Sequence, residues 1–173
     1  MDKTHWSIDG LEVGLDTRIR VAALRYVDAR DAAALLTGIP GGVLPQPRQV
    51  LCAGASGEIT SAWRSPTETL ILSAHAEPLE RLVAGLEGAR EASFVDQSGG
   101  IWAVRIQGSR GEDLLVRIGA AAAVPKPGEA LIGRFAELTV LALCLRQSEF
   151  VLLVDRVYAE HLLGWISATI GDF

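Results

Sequence analysis

Several residue types that carry recognisable chemistry are scarce in this 173-residue chain, which contains two cysteines, one methionine and three histidines. Cys52 and Cys144 lie far apart and form no C-x-x-C motif, so we expect both to be core thiols in a reducing compartment. The histidines show no spacing typical of a metal-binding motif. The sequence therefore predicts neither a disulfide framework nor a bound metal ion.

Positively charged residues are fewer than negatively charged ones. The 16 Lys and Arg residues face 21 Asp and Glu residues, which gives a formal net charge of -5. A chain of this balance offers no basic surface for nucleic acid or for an anionic membrane. The longest uncharged run, residues 32–47, contains three prolines, so we expect neither a membrane-spanning helix nor a signal peptide. The default expectation is a cytoplasmic protein.

Nucleotide and nucleophile motifs are missing as well. The chain has no G-x-x-x-x-G-K-[ST], no G-x-G-x-x-G and no G-x-S-x-G, the patterns typical of phosphate loops, dinucleotide sites and nucleophile elbows. Its nearest glycine cluster, AGASGE at residues 53–58, lacks the lysine and is predicted to form a turn. No catalytic set is visible from the residues alone.

The chain does have the composition of a core-forming domain, with 49% hydrophobic and 21% charged residues. A strand-like IRVAALRY segment precedes a helix that opens at Asp28 as N-cap and closes at Gly38. Further strands are predicted near residues 49–53, 58–64 and 70–74, and a helix near 78–86. Residues 91–97 and 101–107 are expected to pair as a hairpin around Ser98-Gly99-Gly100. A terminal helix at about 157–170 is expected to bury Trp165.

The chain resembles itself at an offset of 80 residues. At that offset Leu24-Arg25 meets Val104-Arg105, Leu35 meets Leu115, and the two Pro-x-Pro loops coincide; at an offset of 81, Glu68 meets Glu149. We therefore predict an α+β fold made of two similar strand-helix-strand-strand-helix units, with antiparallel or mixed sheets and helices on one face. The predicted divisions are an N-terminal arm at 1–18, a first unit at 19–90 and a second at 91–173.

Four side chains are candidates for binding a ligand or a partner. Asp96 and Ser98, before a Gly-Gly pair, could position a ligand, although the same residues also suit a turn. Arg134 follows Gly133 and could bind an acidic partner or close a loop over carbonyl groups. Arg105 or Arg134 could hold the glutamate tail of a folate. No catalytic residue and no metal ligand is predicted.

Two stretches, VDQSGGIWAVRIQGSRGEDLL (95–115) and GRFAELTVLALCLRQSEFVLLVDRVYAEHLLGWI (133–166), resemble the gamma subunit of heterotetrameric sarcosine oxidase. That family has a V-D-x-S strand, a D-L-L helix and a terminal l-L-V-x-R-x-[YF]-A-x-x-L-x-x-W pattern. The last pattern is matched here by Leu152, Leu153, Val154, Arg156, Tyr158, Ala159, Leu162 and Trp165. The upstream W-x-x-P-x-E-x-L is matched by Trp63, Pro66, Glu68 and Leu70. Residues 1–57 match the family only in general pattern.

The resemblance implies the fold of the folate-binding domain of glycine-cleavage aminomethyltransferases. It also implies a small accessory subunit of a cytoplasmic complex that demethylates sarcosine, within one-carbon metabolism. Flavins, NAD and tetrahydrofolate are then expected on larger alpha- and beta-like subunits, and none on this chain. The aminomethyltransferases carry an acid near the strand after their glycine motif, whereas here Glu137 is followed only by uncharged residues to Leu145.

Three functions remain open at this point. A non-catalytic accessory subunit needs binding surfaces and no catalytic set. A free-standing binder of folate or another small metabolite would need a cleft, which requires no motif. A folate-dependent enzyme is disfavoured because fold alone does not confer chemistry. Self-association of the isolated chain is an additional possibility.

Overall fold

A computed structural model describes residues 4–54 and 57–173 of the chain. Residues 1–3 of the predicted N-terminal arm lie outside the described residues, as do residues 55 and 56 of the predicted AGASGE turn. The strands are β1 (His5–Ile8), β2 (Leu11–Asp16), β3 (Arg20–Tyr26), β4 (Val50–Ala53), β5 (Ile59–Ser65), β6 (Glu68–Ser73), β7 (Ala92–Asp96), β8 (Ile101–Gln107), β9 (Ala130–Phe135), β10 (Leu138–Arg146) and β11 (Glu149–Asp155). The α-helices are α1 (Ala29–Leu36), α2 (Ala76–Gly85), α3 (Gly111–Ile118) and α4 (Ala159–Gly171).

These elements form two antiparallel sheets, which confirms the predicted α+β class. In the described part of the chain, one sheet has five strands in the order β4-β5-β6-β3-β7, and the other has six in the order β1-β2-β8-β11-β10-β9. The chain accordingly divides into a contiguous unit, residues 18–99, and a composite unit, residues 4–17 and 100–173. Of the helices, α1 and α2 belong to the contiguous unit and α3 and α4 to the composite unit.

Local sequence explains the boundaries of α1. The Asp28 carboxylate accepts a hydrogen bond from the Arg30 N–H at 2.7 Å and caps α1 as predicted, because the first N–H groups of a helix have no partner within it. The helix ends before Gly38, which has a φ of 87°, a conformation that glycine adopts at little cost. Ala32 and Leu36 then face a core that includes Leu24, Ile71 and Leu82.

The predicted duplication is visible in the topology of the two units. Each contains a strand, a helix, three strands and a helix, paired as β4-β5-β6-β3 in one unit and β9-β10-β11-β8 in the other. The predicted unit order has one strand fewer between the helices, although the three strands of the first unit were each predicted. In the second unit the strand that prediction missed is β9, whose Gly133 interrupts the apolar run by which strands are recognised.

The strand that precedes each repeat pairs with the other repeat. β2 leads into β3 but pairs with β8, whereas β7 leads into β8 but pairs with β3. The predicted hairpin between residues 91–97 and 101–107 is therefore wrong, since local turn chemistry at Ser98-Gly99-Gly100 was overridden by pairing distant in sequence. For the same reason the contact-defined units differ from the predicted boundaries: β1 and β2 are sheet strands rather than an arm, and the contiguous unit extends to Gly99.

Strand register shows that the sequence offset between the two repeats changes along the chain. Arg25 lies opposite Glu68, and Gln107 lies opposite Glu149, so β3 matches β8 at an offset of 82 while the β5–β6 hairpin matches at 81. On this alignment Leu24 corresponds to Ile106, and Leu36 to Ile118. The expected equivalence of Leu35 and Leu115 is wrong: Leu115 is fully buried, whereas Leu35 is only partly buried.

The two Pro-x-Pro loops do match at an offset of 80. The Gln49 side chain accepts a hydrogen bond from the Gln46 N–H at 2.9 Å, and the Glu129 side chain accepts one from the Lys126 N–H at 3.0 Å. The residue before each acceptor has a positive φ, 64° at Arg48 and 83° at Gly128. The same loop geometry thus recurs with little sequence identity.

Candidate functional site

A groove in the contiguous unit lies between α2 and the edge strand β7, and it has a volume of about 710 Å³. The volume falls within the range of small-ligand pockets. Its apolar lining comes from Ala22 on β3, from α2 and the residues after it, and from β7; it includes Leu79, Val83, Leu86, Ala92 and Phe94. The groove exists because α2 packs over β6 and β3, which leaves the β7 side of the sheet uncovered by that helix.

Two of the predicted site residues, Asp96 and Ser98, line this groove. The Ser98 hydroxyl accepts a hydrogen bond from the Val21 N–H at 3.0 Å and lies 3.3 Å from the Val21 carbonyl oxygen, to which it donates. The Asp96 carboxylate accepts a hydrogen bond from the Ser98 N–H at 2.9 Å. The Ser98 side chain beside the carboxylate, the hydrogen bond from the Ser98 N–H and the charge of Arg20 lower the pKa of Asp96. This turn fastens the end of β7 to β3 and keeps the carboxylate ionised.

The charge at the groove is predominantly negative. Glu80, Glu87 and Asp96 contribute carboxylates, and Arg20 contributes a guanidinium. An apolar floor with an acidic rim suits an apolar group attached to a cation. It is a poor match for the glutamate tail of a folate, which is anionic.

The other two predicted residues, Arg105 and Arg134, belong to the composite unit and lie apart on β8 and β9. The Arg105 Nε atom is 3.2 Å from the Asp16 Oδ2 atom, so this side chain links β8 to β2. The Arg134 Nη2 atom is 2.9 Å from the Glu137 Oε2 atom, and both side chains are largely exposed. The residues that line the groove include neither of these two arginines.

The W-x-x-P-x-E segment forms a hairpin between β5 and β6. The Glu68 side chain is only 14% exposed. Its carboxylate accepts hydrogen bonds from Arg25 Nε at 2.7 Å and from Arg64 Nη1 at 2.8 Å. In the composite unit the corresponding Glu149 pairs with Arg146 and is similarly covered. These contacts give the motif a structural role at the base of each hairpin.

The expected burial of Trp165 is wrong, because its side chain is 43% exposed. The buried residues of α4 are Ala159, Leu162, Leu163, Ile166 and Ile170. At about 100° per residue, Trp165 lies roughly 120° from the centre of that face. Val157 and Tyr158, just before and at the start of the helix, are also exposed.

The two cysteines differ in their surroundings. Cys144 is buried, its Sγ atom donates to the Arg146 carbonyl oxygen at 3.2 Å, and burial raises its pKa to about 11. A thiol held neutral in this way is a poor nucleophile. Cys52 is exposed, which corrects its expected place in the core. Across residues 4–54 and 57–173 no group of three His, Cys, Asp or Glu side chains has the arrangement of a metal site.

Sequence reasoning missed most of the groove. Arg20, Glu80, Glu87 and Phe94 come from separate elements, and no local motif joins them. The Ala-Ser-Phe alternation at the start of β7 was a usable signal for a strand with one buried face, but only the pairing of β7 with β3 shows its place in the sheet. No helix in the described part of the chain has the length and apolar character needed to span a membrane.

Comparisons with known proteins bear on the fold. No family model matches the chain, and no curated protein matches it by sequence. A chain of the heterotetrameric sarcosine oxidase from Corynebacterium sp. U-96, solved with pyrrole 2-carboxylate, has a TM-score of 0.81 at 20% identity, over 94% of this chain and 85% of that one. The glycine cleavage system aminomethyltransferase T from Bartonella henselae has a TM-score of 0.67 at 12% identity, over 89% of this chain and 45% of that one.

The similarity to the oxidase chain extends over nearly the full length of this chain, including residues 1–57 in large part. The match to the aminomethyltransferase occupies less than half of that protein, which corresponds to one domain-sized portion. The resemblance found in the sequence is thus confirmed at the level of architecture: this chain has the fold of the sarcosine oxidase chain, which recurs within the aminomethyltransferase.

Proposed function

We propose that the chain is a non-catalytic accessory subunit, similar to the gamma subunit, of a sarcosine oxidase-type complex. The observation that carries the proposal is the similarity to a chain of a heterotetrameric oxidase over 94% of this chain and 85% of that one. A match of similar overall length favours an equivalent subunit over a domain taken from a larger enzyme. Its partners would be larger alpha- and beta-like subunits, which would hold the flavins, NAD and tetrahydrofolate.

The contacts of the candidate residues support a structural subunit. Arg105 and Arg134 pair with acidic neighbours, while Asp96 and Ser98 fasten a turn. Val157, Tyr158 and Trp165 expose large apolar side chains on and before α4. Apolar surface of this kind is commonly buried when an assembly forms.

Purification from the native cell tests the proposal. We expect a tagged chain to co-purify with larger subunits that carry flavin, and we expect the isolated chain to produce no hydrogen peroxide from sarcosine. Adding the chain to partner subunits that lack it should restore sarcosine-dependent oxygen consumption. Recovery of the chain free of any flavin-bearing partner would contradict the proposal.

A folate binder is the second candidate, and the groove beside α2 is the observation that favours it. Its acidic rim disfavours a folate tail, so we expect calorimetric titration with tetrahydrofolate to give no saturable heat. A dissociation constant near or below about 10 μM would reverse this order of preference. In that case a folate-binding protein would replace the accessory subunit as the proposed function.

A further inference from the structure

The two units differ in the strands at one edge of their sheets. β2 and β7 are equivalent, since each pairs antiparallel with the first strand of a repeat. Beyond β2 the composite unit has a further strand, β1, which completes six strands. Beyond β7, within the described residues, the five-stranded sheet has no further strand.

The outer edge of β7 has backbone groups directed away from the sheet. The Gln97 N–H donates to the Val21 carbonyl at 2.8 Å, which fixes the phase of pairing. In an antiparallel ladder alternate residues face the partner strand, so Ser93 and Val95 face β3, whereas Ala92, Phe94 and Asp96 face outward. In the composite unit the equivalent outward residue Leu15 donates its N–H to the Thr4 carbonyl at 2.9 Å.

The side chains of β1 show what occupies this position in the composite unit. Trp6 lies opposite Val13, which lies opposite Ile106. Trp6 is only 5% exposed and packs in the same core cluster as these two residues. In the contiguous unit the corresponding row runs from Leu24 to Phe94 and stops there. The place that corresponds to Trp6 is the outer side of Phe94, at the open groove.

We propose that the edge of β7 and the groove beside α2 bind an extended segment of a partner protein, which pairs as a sixth strand. The inference rests on the proposed function for the source of the segment, a larger subunit of the complex. Strand addition is an established mode of peptide recognition, in which main-chain hydrogen bonds supply affinity and side-chain pockets supply selectivity. Along β7 the side chains of Ser93, Val95 and Asp96 are exposed, and that of Phe94 is half-buried.

The register of β1 predicts the sequence that fits. Ile8, Trp6 and Thr4 face Leu11, Val13 and Leu15 in turn. The corresponding positions on β7 are Ala92, Phe94 and Asp96. An antiparallel segment should therefore carry a basic residue opposite Asp96, an aromatic residue two positions later opposite Phe94, and an aliphatic residue two positions after that. Glu80 and Glu87 strengthen the preference for a basic segment, because together with Asp96 they outnumber Arg20, the cation of the groove lining, which opposes that preference.

The test uses the full chain and the synthetic peptide acetyl-Gly-Lys-Ser-Trp-Ser-Ile-Gly-amide. We expect saturable binding with a dissociation constant on the order of 100 μM. Amide exchange measured by NMR should slow at the outward N–H groups of Phe94 and Asp96, because pairing removes them from water. The N–H groups of Ser93 and Val95 already face β3, so their exchange should stay unchanged.

Matched variants locate the site. Val83 on α2 is 47% exposed and lines the groove, so Val83→Arg should weaken binding at least about tenfold by filling it. Val116 on α3 is 41% exposed and lies outside the groove, so Val116→Arg should leave binding unchanged. Asp96→Asn retains a hydrogen-bond acceptor for the Ser98 N–H and should weaken only peptides with the basic residue.

A peptide methylated on the tryptophan amide is the control for pairing, since it cannot donate to the Phe94 carbonyl. Equal binding of that peptide, or binding that does not slow exchange at Phe94 and Asp96, would overturn strand addition. Absence of saturable binding would do the same. Dimerisation of the chain that Val83→Arg abolishes would identify a second copy as the occupant and also overturn the proposal. Reconstitution of oxidase activity is measured separately, so each proposal can fail while the other stands.

Discussion

The contiguous and composite units share a topology but differ at one edge. Both arrange their strands as β4-β5-β6-β3 or β9-β10-β11-β8, and both add an antiparallel strand on the free side of the last one. Among the described residues, only those of the composite unit form a sixth strand, which inserts Trp6 into its core. Two units of similar topology can thus have different surfaces, and the difference lies at the outer edge of β7.

Replacing tryptophan in the composite unit should have the largest effect. Trp6 is 5% exposed and Trp165 is 43% exposed. We expect Trp6→Ala to lower the free energy of unfolding by about 3 to 5 kcal/mol, because it leaves a cavity beside Val13. Trp165→Ala should cost less than about 1 kcal/mol. Denaturant unfolding of both variants checks this, and equal losses would remove the distinction between a core strand and an exposed helix face.

The alignment of the repeats can be tested on the helices. If α1 and α3 match at an offset of 82, Leu36 and Ile118 are counterparts, and both are buried. We expect Leu36→Ala and Ile118→Ala each to cost about 2 to 4 kcal/mol. Leu35→Ala should cost roughly 1 kcal/mol, since that side chain is only partly buried. If Leu35→Ala lowered the free energy of unfolding more than Leu36→Ala did, the helices would match at an offset of 80 instead.

A pH-dependent difference should also separate the units. Burial raises the pKa of Cys144 from its ordinary value of 9.0 to about 11, while its counterpart in the contiguous unit, Trp63, has no ionisable group. A raised pKa favours the protonated folded state, so the stabilisation is complete below pH 9 and is lost as pH rises through 11. The loss amounts to roughly 2 to 3 kcal/mol at most.

Comparison with Cys144→Ala isolates this thiol from the other groups that titrate at high pH. The difference in unfolding free energy between the native chain and the variant should shrink between pH 9 and pH 11. A difference that stays constant across this range would show that burial does not perturb the thiol. The exposed Cys52 is present in both proteins and therefore cancels.

Much of the repeat could be predicted because some signals are local. Asp28, as an N-cap residue, predicts the start of α1. Glu68 and Glu149 occupy equivalent positions in the β5–β6 and β10–β11 hairpins. The alignment of Leu24-Arg25 with Val104-Arg105 was misleading because it relied on residue identity. Register matches Arg25 with Gln107 instead, since β-sheet position depends on partners far away in sequence.

The candidate site was less predictable than the fold. Asp96 and Ser98 were identified as turn residues, and their hydrogen bonds agree with that alternative. The groove beside them depends on β7 pairing with β3, and a hairpin with β8 was equally consistent with the local sequence. Trp165 was misassigned because an apolar residue on a helix was taken as a core residue, although its angular position lies outside the buried face.

The exchange of strands between the repeats also sets an order of assembly. During synthesis the β1–β2 hairpin emerges before the other strands. It cannot join its sheet until β8 has been synthesised, because β2 pairs with β8, with Glu12 opposite Gln107. The contiguous unit can close once β7 has left the ribosome, because all five of its strands are then available. The composite unit completes its sheet last, when β8 pairs with β2. Pairing between strands so far apart in sequence slows folding. We therefore expect the pairing of β2 with β8 to limit the folding rate of the composite unit.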